Sequence, residues 1–444
     1  MTSKIPEGKW TDIQGSYILV ALEEHFLNGD AYVQANEVYP LSKRVKQTTF
    51  TEFQADFRFL VHEGLLCREG SRVYLRDTLR YEESAANCLA AILKNNVMPC
   101  PALPNVITVQ GALPLCDEQK EAVRMVLSSR LSIVLGGAGT GKSTLIHALT
   151  QYTPKEAGYA VLCAPTGKAA RNLAARTGKP TRTVHSALGV IPDADFLAPV
   201  IWSSVGLVVV DEASMLTLGM LAGILDRVPR HCRVVLIGDP NQLQSVGSGN
   251  VLPDLLKLGI PHIRLELNHR QRKGATELLT NVTEFASVRT GDDLVFGESF
   301  SLQSMRESCV KQAIVDEAVA RYKAGECVQV LSPYNKATEL SVANLNQAIR
   351  EKVNPEALGK LSFGDRFRDG DKVIILNNDR DRNCSNGDVG ILRILSDDKK
   401  NACFCVELPD GRCPVWDNYG ALANIALAYA LTVHKSQGSG ATCS

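Results

Sequence analysis

The run Gly136-Gly137-Ala138-Gly139-Thr140-Gly141-Lys142-Ser143 fits the phosphate-cradling pattern G-x-x-x-x-G-K-[ST] and commits the chain to a strand–loop–helix unit. Leu131 to Leu135 before it reads as an apolar strand. Thr144-Leu145-Ile146-His147-Ala148-Leu149 after it reads as the opening turns of a helix. Glycines let the backbone aim its N–H groups at anionic oxygens, and the helix N-terminus adds a partial positive charge. Gly137, Gly139, Thr140, Gly141 and Thr144 are the expected cradle. Lys142 would reach the β- and γ-phosphates, and the Ser143 hydroxyl would sit on Mg²⁺.

The metal's other ligand is expected from a second strand. Leu207-Val208-Val209-Val210 is a continuous apolar run, as in a strand buried on both faces of a parallel sheet, and it ends in Asp211-Glu212. Asp211 would hold Mg²⁺ and Glu212 would polarise the attacking water. The competing reading is an acidic pair that starts a helix over Ala213-Ser214-Met215-Leu216; behind a phosphate loop the metal reading is preferred. Arg233 to Ile237 is a third such strand, breaking into Gly238-Asp239-Pro240-Asn241-Gln242. Gln242 there can sense a γ-phosphate or the lytic water. The set points to an NTPase that couples hydrolysis to motion rather than to a small-molecule kinase.

At 444 residues the chain has room for three or four domains. Its formal net charge is zero, so a nucleic-acid site must be a local groove rather than a basic tail. No apolar stretch approaches the roughly 18 residues of a membrane span, and the start carries no secretory h-region. The expectation is therefore a cytoplasmic protein without a membrane. The 13 cysteines lack a framework spacing, which suits reduced thiols; Cys403, Cys405 and Cys413 are read as strand thiols rather than a zinc site.

Along the chain, Phe53, Phe57 and Leu60 recur at helical spacing within residues 50–63. Leu65 to Arg68 and Arg72 to Leu75 read as a hairpin about Glu69-Gly70-Ser71. Helix then hairpin is a winged-helix pattern, serving either DNA or packing and protein contact. Leu79 to Leu93 reads as a connecting helix, and Pro99, Pro101 and Pro104 as a linker. Strand–helix alternation from Leu115 implies a parallel sheet with crossover helices. Gln119, on the helix opening at Asp117, could read adenine edges or be a surface polar residue. Thr166 and Lys168, just past the strand Val161 to Ala164, could grip a nucleic-acid phosphate; the alternative is a helix cap and a solvated lysine. A second strand–helix series starts at Gln329. Turn signals at Asp369-Gly370-Asp371, Asn386-Gly387-Asp388 and Pro409-Asp410-Gly411 mark a small barrel-like insertion of short strands.

With these motifs in place, the chain resembles the RecD-like DNA helicases of superfamily 1 over roughly Val73 to Gly438. Leu115-Cys116-Asp117-Glu118-Gln119 resembles the family's adenine motif. Ala164 to Ala170 and Thr183-Val184-His185 resemble its early DNA-contacting motifs. Asn268-His269-Arg270-Gln271 is similar to the motif whose arginine reaches the γ-phosphate, and Thr432 to Gly438 to the late DNA-contacting motif. The resemblance implies an α/β fold of two RecA-like P-loop motor domains, the second incomplete, with an SH3-like β insertion and an N-terminal winged-helix-like region. The expected divisions are 1–98, 99–265 with a strand-splitting pin at 189–203, and 266–444 with the insertion at about 363–416. Trp202 in the pin would stack on a base or pack.

The implied activity is ATP- and Mg²⁺-dependent travel on single-stranded DNA, 5′ to 3′, in repair or recombination, with duplex junctions as substrates. Arg270 would stabilise charge. His185, His434, Lys435 and Ser436 would join Thr166 and Lys168 on the DNA track. A protein partner is expected at the N-terminal region. The family continues past Gln437-Gly438 with a last motif bearing a second arginine, so the reading ends on a truncated motor. The alternatives are a nucleotide- and DNA-binding protein that hydrolyses poorly, and an ATP switch acting on a protein partner.

Overall fold

The computed structural model describes residues 10, 12–109, 114–137, 139–190, 198–245, 247–266, 281, 295–297, 300–335, 338–356, 361–379, 381–398 and 400–436. The N-terminal unit runs α1 (Ser16–Phe26), β1 (Val33–Gln34), α2 (Ala35–Val45), α3 (Phe50–His62), β2 (Leu66–Glu69) and β3 (Arg72–Leu75). Its three strands form an antiparallel sheet in the order β1-β3-β2. Thr49 starts α3 with a capping box: the Glu52 N–H donates to the Thr49 hydroxyl, and the Thr49 N–H to the Glu52 carboxylate at 3.0 Å. Phe53 and Leu60 face inward onto Ile18, Leu22 and Val73. The helix and hairpin thus stand where the sequence places them.

Helix α4 (Arg76–Lys94) follows directly. It is more than a connector. Ala85, Leu89 and Ile92 enter the core of the next unit, and Ser84 donates to Asp226 at 2.6 Å. That unit comprises α5 (Asp117–Leu127), β4 (Leu131–Gly136), α6 (Lys142–Tyr152), β5 (Tyr159–Ala164), α7 (Gly167–Thr177), β6 (Thr181–Thr183), α8 (Val184–Ala187), β7 (Val205–Val210), α9 (Leu218–Arg227), β8 (Arg233–Gly238), α10 (Val251–Lys257) and β9 (His262–Leu265). Its parallel six-stranded sheet has the order β6-β5-β7-β8-β4-β9.

Every residue of β4, β7 and β8 is buried, which explains their unbroken apolar runs. One face of the sheet packs on α4, α9 and α10, the other on α5 and α6. Each fully buried Val, Leu or Ile contributes about 1.5–3 kcal/mol. Because β7, β8 and β4 are adjacent, the loops at their C-terminal ends converge on one edge of the sheet. Trp202 is partly buried against the core, the packing alternative; residues 191–197 of the expected pin lie outside the described residues.

Beyond, α11 (Glu307–Lys323), β10 (Val330–Ser332) and α12 (Val342–Val353) lead into a five-stranded antiparallel sheet of β11 (Lys372–Ile375), β12 (Val389–Ser396), β13 (Cys403–Glu407), β14 (Val415–Trp416) and β15 (Ile425–Leu427). Phe404 stacks on Trp416 at its centre, with ring centroids 5.3 Å apart. This sheet takes in β15, which lies past the 363–416 window expected for the insertion. The chain then returns as β16 (Ala430–Thr432), parallel to β10, and α13 (Val433–Ser436). Tyr429, α11 and α12 pack around the β10–β16 pair.

Candidate functional site: a phosphate loop beside a cationic cleft

The loop from β4 to α6 needs glycine. Gly139 and Gly141 have φ of 87° and 82°, where a Cβ is strained, and a Cβ at Gly136 would lie 2.6 Å from the Thr140 hydroxyl. Thr140 is buried and donates to the Gly137 carbonyl at 3.0 Å. Lys142 donates to the Gly136 and Gly137 carbonyls at 2.6 and 3.3 Å, so its ammonium lies over the loop. Ser143 and Thr144 follow in the first turn of α6. Gln119 is buried; its carbonyl accepts the Cys116 N–H and its amide donates to the Thr140 carbonyl at 3.4 Å. It therefore ties the start of α5 to the phosphate loop rather than standing as a surface polar group.

Asp211 ends β7 with its N–H bonded to the Cys163 carbonyl at 2.9 Å. It is buried, and its Oδ1 has no hydrogen-bond partner among the described residues. Burial pushes its pKa up, against the pull of the Lys142 ammonium. Glu212 is raised too, by burial and then by the Asp211 charge. Its backbone is left-handed, φ 53° and ψ 42°, at a cost of about 1–3 kcal/mol for a residue with a Cβ. A short helix, Ala213–Met215, does follow the pair as the alternative reading expected, though the Glu212 side chain does not cap it. Asp239 begins the third loop. A Cβ at Gly137 would lie 3.8 Å from its carboxylate, so this loop abuts the phosphate loop. Gln242 is partly buried, its N–H on the Asp239 carbonyl at 3.1 Å.

An orphaned buried carboxylate oxygen within reach of the Lys142 charge, with the Ser143 hydroxyl next to that lysine in the first turn of α6, fits a hard cation that takes oxygen ligands and keeps several waters. Asp211 and Ser143 are the residues that would hold Mg²⁺. Bound there, the cation would neutralise phosphate charge, while Lys142 and the loop amides would orient the phosphates.

A second feature lies past the ends of β5 and β6. A cleft of about 330 Å³ is lined by Thr166, Lys168 and His185 on one side, Asn386 and Gly387 on the other, and Lys435. Four residues read separately from the sequence as DNA-contacting therefore share one cavity. The Thr166 hydroxyl caps α7 by accepting the Ala169 N–H at 3.2 Å, and Lys168 donates to the Gly387 carbonyl at 3.4 Å. Burial lowers the pKa values of Lys168 and His185. Lys435 is exposed overall, yet partial burial lowers its pKa as well. The Ser436 hydroxyl is turned onto the Val433 carbonyl at 2.7 Å. His434 lies in α13, its side chain outside the described residues, as is all of Arg270.

Two protein families match this chain: an AAA domain over residues 114–294, and the SH3 domain of ATP-dependent RecD-like DNA helicases over 345–407. The chain is 31% identical over 427 residues to the ATP-dependent RecD2 DNA helicase of Deinococcus radiodurans, covering 92% of this chain and 56% of that protein. The chain is RecD-like. The RecBCD enzyme subunit RecD of Mycolicibacterium smegmatis is 28% identical to it over 424 residues, 83% of this chain and 72% of that one. This RecD-like chain thus spans little more than half the length of the Deinococcus relative. A looser likeness, 18% identity and TM-score 0.44 over 74% of this chain and 85% of the other, is to a Bacteroides Pif1 helicase solved with ADP-AlF3 and single-stranded DNA.

In the RecD-like chain the AAA match contains β4 to β9 with all three converging loops. The SH3 match contains β11 to β13 and the Asn386-Gly387 wall of the cleft. Sequence reading missed the contacts of Arg171 with Ser385 and Asp388, which join α7 to the β insertion. The only signal was Arg171 standing one helical turn after Lys168.

Proposed function

We propose that the chain is an ATP-dependent motor that moves on single-stranded DNA, 5′ to 3′, and opens duplex junctions during repair or recombination in the cytoplasm. The observation that carries this is the single cleft shared by Thr166, Lys168, His185 and Lys435, on the sheet whose neighbouring loops hold Lys142 and Asp211. In this reading Lys142 and the loop amides bind the phosphates, and Ser143 and Asp211 hold Mg²⁺. Glu212 takes the proton of the attacking water, Gln242 senses the γ-phosphate, and Arg270 stabilises developing charge. The cleft residues grip phosphates, so binding is salt-dependent and largely blind to sequence. The N-terminal unit, winged-helix-like in its element order, offers a surface for a protein partner.

The test is steady-state ATP hydrolysis with and without single-stranded DNA, beside Lys142→Ala. DNA-stimulated turnover that vanishes in the variant is expected. Turnover indifferent to DNA would sink the motor, and Mg·ATP and DNA binding without turnover would leave only a binding protein.

A further inference from the structure

The wall of the cleft is held shut by a cluster that the motor reading does not use. Arg171 on α7 donates to the Ser385 hydroxyl and to the Asp388 carboxylate. The other Asp388 oxygen accepts the Ser385 N–H at 2.9 Å and Arg412 at 3.4 Å. Arg412 is itself held by the Asn383 carbonyl at 2.7 Å and the Asp410 carboxylate at 2.6 Å. The Asp388 side chain is 8% exposed and that of Arg171 28%. A buried pair of this kind adds little net stability, because desolvation offsets the attraction, but it fixes one relative placement of the groups it joins.

The cluster is lopsided. Of the hydrogen bonds to Asp388, only that from Arg171 comes from outside the SH3-like module; Lys168, also outside it, adds a charge attraction and a bond to the Gly387 carbonyl. If the module lifts away, Asp388 keeps Arg412 and the Ser385 N–H, and Arg171 passes into water. Opening therefore leaves Asp388 paired within the module, and the contact is suited to repeated making and breaking. On its far side the module is tied down: Lys372 donates to the Val328 carbonyl at 2.7 Å, and Tyr429 to Asp371 at 3.0 Å.

Resting on the translocase reading, we propose that Arg171 and Asp388 form a latch that closes the SH3-like module over the DNA-contacting face of the first motor domain. Closed, it encloses the strand in a ring of protein and sets how long the motor stays on it. Open, it admits a strand that has no free end.

The geometry supplies its own test. A Cβ at Gly167 would lie 3.6 Å from the Ser385 Cβ, inside the roughly 3.5–4.5 Å range of a disulfide. The double variant Gly167→Cys, Ser385→Cys is loaded on circular single-stranded DNA, oxidised with copper phenanthroline, and washed in about 1 M salt, where phosphate contacts are screened. Each single variant and a linear strand serve as controls. Retention on circles at least about tenfold above the reduced protein is expected, with release from linear strands. Oxidation before loading should block binding to circles. Arg171→Ala, which removes the placement the pair fixes, should shorten the dwell time on circular DNA. A cross-link that forms without trapping on circles overturns the latch, as does failure of the cross-link to form. Wild-type protein that does not bind single-stranded DNA overturns the translocase reading, and the latch with it.

Discussion

Lys142 lies on the Gly136 and Gly137 carbonyls, so a nucleotide phosphate has to draw its ammonium off the loop. Replacing it with alanine removes the cation but leaves the glycine turns. Hydrolysis is expected to fall by about 10²-fold or more, as when one preorganised donor to a developing charge is lost, with thermal stability little changed. In the cleft, Lys168 and Lys435 differ from His185. Burial holds His185 below its ordinary pKa, so it contributes no charge near neutrality. Lys168→Ala and Lys435→Ala should each lower the slope of log affinity against log salt by about 0.7, the value for one single-strand phosphate contact. His185→Ala should weaken binding with the slope intact. A reduced slope there would mean the imidazole is charged. At this scale the sequence was a mixed guide. Lys142 and Asp211 were legible because their spacing from a strand end is a chemical requirement. The Thr166 hydroxyl makes the helix cap that was the sequence's alternative to a phosphate contact, whereas the Gln119 amide is engaged in a loop tie that no local pattern reveals.

Among the elements, β4, β7 and β8 could be read directly, since strands buried on both faces leave continuous apolar runs. The β insertion was legible through its turns rather than its strands, which is why its last strand, β15, was placed outside it: Ile425–Leu427 carries no turn signal of its own and joins only by pairing with β11. Within this sheet Gly390 is a sensitive point. A Cβ there would lie 2.3 Å from the Glu407 carbonyl oxygen on β13. Gly390→Ala should therefore destabilise the module by about 1–3 kcal/mol, as overpacking does, and weaken DNA binding while leaving nucleotide binding intact. Thermal unfolding followed at Trp416 would check it; an unchanged transition would mean that β12 and β13 separate at little cost.

Across the whole molecule, zero net charge means that the proposed attraction for DNA has to come from a local site such as this cleft rather than from a general field. Helix α4 shows how units depend on one another. It reads from sequence as a connecting helix, yet Ala85, Leu89 and Ile92 complete the core of the sheet below. A chain beginning at Asn96 should be far less soluble than one beginning at Arg76, as the core left uncovered would expose a contiguous apolar patch. Equal yields and equal melting of the two would show that α4 is dispensable. A different dependence governs the far end. From β15 the chain passes through Ala428, whose N–H is fixed to the Lys372 carbonyl at 2.8 Å, into β16 and then α13 with Lys435. The module's last strand β15, the motor strand β16 and the cleft lysine are consecutive stretches of one polypeptide strip. One residue inserted between Leu427 and Ala430 would shift Lys435 by about 3.3 Å against the Gly387 wall. The module's outer turns can lengthen without moving the cleft lysine, but that junction is a ruler that sets where Lys435 stands.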